Sequence, residues 1–347
     1  MFGGKKMKKI ASIAIIAVVV GVFAACNKSE RPQADASGEW TWGRRVTIVS
    51  PWGPGGGLGP VIRNIIPELE KIIGVPVEVQ HVEGGGGLQG TVFASRQPAD
   101  GYTFVAGTQS TVSLDIRQQL GFDFRKEFVP VGKLVHSTKG IIASKTATQG
   151  MFSDFQGFID YIRANPGKLS VGMRSPGGSD EVSLIEVLAL ALDVSIAEAR
   201  EFVRIVPFAS GSEQDAALAG GHVHLTVQGF NESPGLVDAG TAIPIVAFSP
   251  QRMASFPDVP STGELGIPSY IGTWRGIFAR RGTPQAAIDA LAKALEEAWH
   301  TDSYQAFCEK EGYLEREGFE GPDGFLALVD EEYGVMTEFL RAAGVIR

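Results

Sequence analysis

Residues 46–63 read VTIVSPWGPGGGLGPVIR. The β-branched run Val46-Thr47-Ile48-Val49 predicts a buried strand, and Ser50-Pro51 stops it. Trp52-Gly53-Pro54-Gly55-Gly56-Gly57 then forms a tight loop. From about Leu58 the apolar positions Val61, Ile62, Ile65, Ile66 and Leu69 recur at helical spacing. A strand, a glycine loop and a helix in this order leave unpaired main-chain N–H groups at the helix start. That end carries a partial positive charge and favours an anion, and glycine lets a ligand approach the backbone closely. The expectation is a small carboxylate captured between two such helix ends.

The pattern recurs outward from this unit. Residues 76–82 (PVEVQHV) predict a second strand, Glu83-Gly84-Gly85-Gly86-Gly87 a second glycine loop, and residues 88–95 another helix. A third strand at 103–106 is entered through a turn at Ala99-Asp100-Gly101. Such a β-α-β-α-β run is the signature of a parallel sheet with crossover helices. Residues 129–144 are strand-rich and suit a crossing between lobes. A helix at 153–163 ends at Asn165-Pro166-Gly167, and a short strand covers 169–172. Met173-Arg174-Ser175-Pro176-Gly177-Gly178-Ser179 is then a third loop ahead of an apolar helix at 182–192. Strands at 202–207 and 223–227 flank a helix around 213–219. A return strand at 243–248, a strand at 274–279 crossing back, and amphipathic helices at 284–299 and 322–343 complete an α/β chain.

At 347 residues there is room for two domains with separate cores, and 44% hydrophobic with 20% charged residues is a globular composition. The net charge is −8, and removing the first 25 residues, which hold four lysines and no acid, brings it to −12. That excludes a nucleic-acid binder, which needs a basic face. The N-terminus reads as an address. Lys5-Lys6-Met7-Lys8-Lys9 is a basic segment, and residues 10–22 are an apolar run too short to span a bilayer. Val22-Phe23-Ala24-Ala25-Cys26 resembles a bacterial lipobox. The expectation is a lipoprotein with a signal peptide over residues 1–25, lipidation of Cys26, and a polar tether over 26–43; plain secretion and an uncleaved anchor are the alternatives. Cys308, the other of two cysteines, is expected as a packed small side chain. With Cys26 lipidated, neither a disulfide nor a zinc cluster forms.

Gly85-Gly86-Gly87-Leu88-Gln89-Gly90 matches G-x-G-x-x-G between a strand and a helix. A dinucleotide site also wants an acid about 20 positions on, where Gly107-Thr108 stand; the first acid is Asp115. No glycine loop runs into the Lys-Ser or Lys-Thr of a phosphate loop, and there is neither a G-x-S-x-G elbow nor an H-E-x-x-H. His222 and His224, on one expected strand face, read as a solvated strand end in preference to a metal pair. Asp180 and Glu181 read as helix-capping acids in preference to acid–base catalysts, as do Ser210, Ser212 and Glu213. No cofactor, metal site or activated nucleophile is expected. Three glycine loops each opening a helix, two in the first lobe and one in the second, converge on a ligand cleft. An anion held by main-chain amides suits so acidic a chain.

These residues carry a family likeness. It rests on Val49-Ser50-Pro51-Trp52-Gly53-Pro54-Gly55-Gly56-Gly57, on residues 84–90 with Pro98-Ala99-Asp100-Gly101-Tyr102-Thr103, and on Asn165-Pro166-Gly167-Lys168-Leu169. It continues through Val206-Pro207-Phe208, Gly220-Gly221-His222-Val223, Phe256-Pro257-Asp258-Val259-Pro260-Ser261 and Trp274-Arg275-Gly276-Ile277-Phe278-Ala279. From about residue 46 to 343 the chain resembles the solute-binding subunit of tripartite tricarboxylate transporters, the Bug family of extracytoplasmic receptors.

The resemblance implies a two-lobed periplasmic-binding-protein type II fold that closes like a clamshell. Lobe 1 would cover 44–137, lobe 2 would cover 138–250, and 251–347 would return to lobe 1. Pro54, Gly55, Gly56, Gly57 and Leu58 would form one jaw, and Ser175, Gly177, Gly178 and Ser179 the other. Gly85, Gly86, Gly87 and Thr108 would line the wall, with Trp52 against the ligand body. Arg275 is a candidate cation for a second carboxylate, structural pairing being the alternative. The implied function is that of a membrane-anchored, extracytoplasmic, non-enzymatic receptor. It would capture a small organic carboxylate (a di- or tricarboxylate or related acid) by domain closure and deliver it to large and small permease subunits. A receptor feeding a signalling sensor, or an enzyme on a similar frame, are the alternatives. The chain departs from the family pattern at Leu58-Gly59-Pro60, where Thr-Asp is common, at Asp180-Glu181, where Ser-His is frequent, and at His224, where Asp is frequent. These departures leave room for a ligand other than citrate or the simple dicarboxylates.

Overall fold

A computed structural model of the protein describes residues 40–174, 177–208, 211–232 and 234–346. The expected signal peptide, Cys26 and the tether up to residue 39 lie outside the described residues, as do Ser175 and Ser210.

Strand β1 (Val46–Ser50) has parallel neighbours on both sides, β2 (Val77–His81) and β3 (Thr103–Thr108). A strand covered on both faces takes a continuous apolar run instead of an alternating one, which explains its β-branched sequence. Between β1 and β2 runs α1 (Leu58–Ile73), which buries Leu58, Val61, Ile62, Ile65 and Leu69, the spacing of a single helix face. Pro60 sits in the first turn, where a missing N–H is no loss. Gly74, left-handed, ends the helix by donating its N–H to Glu70 O at 3.0 Å. Helix α2 (Leu88–Ala94) makes the second crossover.

Helices α3 (Gln109–Ile116) and α4 (Phe124–Glu127) lead to β4 (Phe128–Ser137) and β5 (Lys139–Ser144), with Thr138 alone between the two strands. Then come α5 (Phe155–Ala164), β6 (Leu169–Met173), α6 (Ser179–Leu192), α7 (Ile196–Glu201), β7 (Val203–Pro207), α8 (Gly211–Ala219), β8 (Leu225–Gly229), α9 (Pro234–Asp238) and β9 (Ala242–Ala247). The chain returns through β10 (Thr273–Arg280), α10 (Gln285–Trp299), α11 (Asp302–Lys310) and α12 (Pro322–Ala342). Two five-stranded sheets result, ordered β2-β1-β3-β10-β4 and β7-β6-β8-β5-β9. In each, three parallel strands are followed by an antiparallel strand that has crossed from elsewhere in the chain: β10 between β3 and β4, and β5 between β8 and β9.

Among the described residues three apolar clusters hold this arrangement. One packs Val46, Ile48, Val61 and Ile65 against Leu291 and Leu295 of α10 and Tyr304 and Cys308 of α11. Cys308 is therefore a packed side chain, its thiol pushed up to about 12 by burial. A smaller cluster gathers around Leu218, Val223, Phe230 and Met253 on the second sheet. The largest joins the two sheets, bringing Val105 and Phe278 together with Val171, Val227, Leu184 and Leu188 through Phe325, Met336 and Phe339 of α12. Side chains of this size contribute roughly 1.5–3 kcal/mol each when fully buried, so the C-terminal helix couples the sheets energetically.

Helices α3, α4, α7, α9 and α11 lie outside the ranges expected from the sequence. Helix α3 (QSTVSLDI) has no apolar stripe and several poor helix formers. Thr108 caps it, accepting from Ser110 N–H at 3.2 Å, and burial of Val112 and Leu114 does the rest. Helix α7 opens on a capping box of Ser195 and Glu198, a signal present in the sequence. Helix α11 supplies Tyr304 and Cys308 to the core. Strand β8 starts at Leu225, so His222 and His224 occupy the preceding turn and do not share a strand face. Among the described residues no helix is long and apolar enough to cross a membrane.

Candidate ligand-binding cleft

The three glycine loops follow the carboxyl ends of β1, β2 and β6, the edge where ligands bind in open α/β sheets. In the first loop Gly56 N–H donates to Gly53 O at 3.3 Å, and Gly59 N–H donates to Gly56 O at 3.0 Å. These two amides are thus engaged inside the loop. Pro54, Gly55 and Gly56 are exposed, and Leu58 is buried in the core. Gly57 lies so close to Arg275 that a Cβ there would overlap the guanidinium.

In the second loop Gly85, Gly86 and Gly87 have φ of 61°, 65° and 104°, a left-handed run that glycine takes without strain. The Trp52 ring packs on Gly87 where a Cβ would otherwise stand.

Between the second and third loops lies a cavity of about 190 Å³. Gly85, Gly86, Ser110, Ser113, Leu114 and Arg117 line it from the side of the first sheet, and Arg174 and Gly178 from the second. Ser113 Oγ donates to Gly177 O at 2.7 Å, joining the two sides directly. Arg117 Nε donates to Ser113 O at 3.3 Å, and the Nη1 end of its guanidinium lies against Gly177. Of the expected site residues, Gly85, Gly86 and Gly178 therefore come together around one cavity. Pro54, Gly55, Gly56, Gly57 and Leu58 stand outside its lining, Gly87 supports Trp52, and Thr108 caps α3.

From Arg174 a chain of charges runs in both directions. Its Nη1 donates to Glu232 Oε2 at 2.7 Å, Glu232 Oε1 accepts from Arg275 Nη2 at 2.9 Å, and Arg275 Nη1 donates to Ser137 Oγ at 2.9 Å. On the other side Arg174 Nη2 reaches Asp180 Oδ2 at 3.4 Å, and Asp180 Oδ1 pairs with Lys139 Nζ at 3.0 Å. Lys139 also donates to Ser179 Oγ at 2.7 Å. Glu332 of α12 also faces Lys139.

Burial opposes the ionisation of Glu232 and Asp180. The flanking cations outweigh it and hold both carboxyls below their ordinary range. Burial pushes Lys139 down against the pull of Asp180, while Glu232 above all raises Arg174.

Asp180 and Glu181 stand in the first turn of α6, as the dipole-complementing reading expects, and each has further partners that this reading does not foresee. Gly178 caps α6 without a side-chain bond, and Asp180 belongs to the charge chain. Glu181 accepts the Gly177 N–H at 2.7 Å and pairs with Arg200 Nε at 2.6 Å. A carboxylate of the protein itself thereby takes one amide of the third loop. Arg275 is likewise paired internally, with Glu232. His224 Nδ1 accepts from Ser170 N–H at 3.1 Å, and among the described residues no group of three or more His, Cys, Asp or Glu is set to hold a metal. Sequence reasoning does not single out Arg117, Lys139, Glu232 or Arg174. Only Arg174, a charge inside a Gly- and Pro-rich loop, carries a local signal.

Comparison with known proteins bears on this geometry. The family model described as tripartite tricarboxylate transporter family receptor matches residues 61–317. Protein BugT of Bordetella pertussis is 24% identical over 334 residues, covering 95% of each chain. Among solved structures, MatC from Rhodopseudomonas palustris with bound malate is 25% identical with a TM-score of 0.72, over 86% of this chain and 99% of that one. An R. palustris protein with adipate is 24% identical with a TM-score of 0.74, over 87% and 98%. The periplasmic binding protein BugD is 23% identical with a TM-score of 0.73, over 88% and 99%. The fold is thus the two-sheet α/β fold of periplasmic binding proteins.

Proposed function

The chain belongs to the tripartite tricarboxylate transporter receptor family, and from that membership we propose that it captures a small organic carboxylate by domain closure and hands it to large and small permease subunits. It is a periplasmic solute-binding receptor, not an enzyme. Anchoring through a lipid on Cys26, with residues 1–25 removed and 26–43 as the tether, is part of the proposal and rests on the basic, apolar and small-residue order of the sequence.

The observation that carries the reading is the cavity between Gly85-Gly86 and Gly178, walled by two serines and by an arginine from each side. Two guanidinium groups at its wall, in a chain of net charge −8, suit an anion there. Malate in MatC and adipate in the R. palustris relative support an acid of this class. The proposed lobes are 44–137 with 251–347, and 138–250. Closure is a hinge rotation at Thr138 and at the return segment before β10. Trp52, Pro54, Gly55, Gly56, Gly57, Leu58, Gly87 and Thr108 support or edge the site on one side, as do Gly177 and Ser179 on the other, and the family resemblance assigns Ser175 to the same jaw. Four or five charge-assisted hydrogen bonds of about 1.5–3 kcal/mol each sustain micromolar binding after the cost of association.

Native mass spectrometry of the chain from Asn27 onward, followed by thermal-shift titration with mono-, di- and tricarboxylates, tests the reading. A co-purified acid or a saturable rise in melting temperature supports it. A panel without any shift overturns it. Loss of uptake of that acid on deleting the chain tests delivery to the permease.

A further inference from the structure

We propose that Glu232 is a specificity residue of the cleft: its carboxylate fills the anion place at the start of α1 and so limits how long an acid the cleft accepts. The inference rests on the carboxylate-receptor reading above.

The first glycine loop carries the strongest sequence signal for an anion, yet groups of the protein itself occupy it. Gly56 and Gly59 N–H both turn onto carbonyls of the loop, and Pro60, in the first turn, has no N–H to give. Gly57 caps α1, and a Cβ on it would overlap the Arg275 guanidinium and lie 3.3 Å from Glu232 Cδ. Glu232 comes from the far side, directly after β8 of the second sheet. Arg275 of the first sheet holds its Oε1 at 2.9 Å, and Arg174 of the second holds its Oε2 at 2.7 Å. The side chain is only 8% exposed, and the two cations keep it ionised. A carboxylate gripped by a guanidinium from each sheet, beside a helix start, is the arrangement a captured acid would adopt there. Here the chain supplies the acid.

That occupancy bounds the cavity. Arg174 lines it and at the same time holds Glu232, whereas Gly57, Glu232 and Arg275 stand outside the lining. An acid reaching past Arg174 meets a carboxylate already in place. Like charges repel strongly in so buried a spot, and the guanidiniums beyond are already paired. Glu232→Ala removes the obstacle and leaves, between two unpaired guanidiniums, a space the size of a small carboxylate.

Calorimetry on the chain from Asn27 onward tests this, with formate as the probe of the vacated place and the linear diacids from succinate to pimelate as a ladder of length. Glu232→Ala should bind formate about 10- to 100-fold more tightly than the unaltered protein, the worth of one charge-assisted contact. Its ratio of pimelate to succinate affinity should rise about 10-fold or more. Glu232→Gln keeps the bulk and loses the charge, so it should gain neither, and its affinity for every diacid should change by one common factor. If Glu232→Ala folds poorly in plain buffer, formate should restore its folding without doing so for a poorly folded Glu232→Gln. An alanine variant with unchanged formate affinity and an unchanged length ratio overturns the role of Glu232, as does one that formate does not help to fold. A changed length ratio in Glu232→Gln overturns it too. In each of these cases diacid binding to the unaltered protein leaves the carboxylate reading standing. A formate gain with no diacid bound by either protein removes that reading and the length limit together.

Discussion

Glu232 and Arg275 meet at 2.9 Å, one directly following β8 of the second sheet and the other within β10 of the first. The second oxygen of the same carboxylate holds Arg174 at 2.7 Å. One buried acid thus bridges two guanidiniums that belong to different sheets, in the manner of a ligand the protein carries for itself.

Glu232→Gln leaves both guanidiniums without their main counter-charge. Removing one partner of a buried pair costs about 3–5 kcal/mol, so the urea midpoint should fall accordingly. The acid response gives the sign. Because the cations hold Glu232 and Asp180 below the ordinary carboxylate range, their stabilisation is complete above that range and is lost as pH falls through the lowered values. The unaltered protein should therefore lose stability on acidification more steeply than Glu232→Gln does.

Lys139 is fully buried at the start of β5 and pairs with Asp180 at 3.0 Å. Lys139→Met takes from Asp180 its nearer cation, leaving Arg174 Nη2 at 3.4 Å, and should destabilise by up to about 3–5 kcal/mol. Adding Asp180→Leu should give a total loss smaller than the sum of the two single changes. Equilibrium denaturation of the cycle checks the coupling.

Gly56 and Gly178 separate binding from folding. A Cβ on Gly56 would meet nothing nearer than Gly53 O at 3.8 Å, and Gly178 has φ of −89°, open to any residue. Gly56→Val, outside the lining, should keep both the melting temperature and the carboxylate-induced shift, and Gly178→Val, at the cavity wall, should abolish the shift. Gly86→Val, at φ of 65°, should in addition destabilise by about 1–2 kcal/mol.

Glu332 of α12 is half-buried, and burial pushes its carboxyl from 4.5 up to about 7, against Lys139, Gln109 and Arg316 and with the help of Glu331. As pH rises the unfolded chain releases this proton first, so the group lowers stability progressively between about pH 4.5 and 7 and by a constant amount above. Glu332→Gln should therefore be more stable than the unaltered protein at pH 8, by roughly 1–2 kcal/mol after allowing for partial exposure. It should match the unaltered protein below about pH 4. Denaturant titrations at both pH values decide it.

The strand–loop–helix units are legible because each is local: the apolar run of β1, the glycines after it and the i, i+3, i+4 stripe of α1 sit within thirty residues. The crossing at 129–144 is legible for the same reason, as one long strand-forming run that becomes β4 and β5. The charge chain is not. Lys139, Arg174, Glu232 and Arg275 stand on four separate stretches, and only the strand order brings them into line. Helix α3 hides for a different reason, since its Ser- and Thr-rich face is buried by tertiary contacts that leave no periodic mark. The loop amides mislead in one respect. A glycine loop announces free donors, whereas Gly56 N–H turns inward on Gly53 O and Gly177 N–H is taken by Glu181, four residues on.

The placement of β10 between β3 and β4 has a consequence for the order in which the molecule can be assembled. A polypeptide emerging N-terminus first exposes two raw edges, on β3 and on β4, until residues 273–280 arrive to fill the gap. The second sheet has all its strands once residue 247 is out. The half begun later is thus the first to be completed, and the earlier half stays open and prone to stray pairing in the meantime.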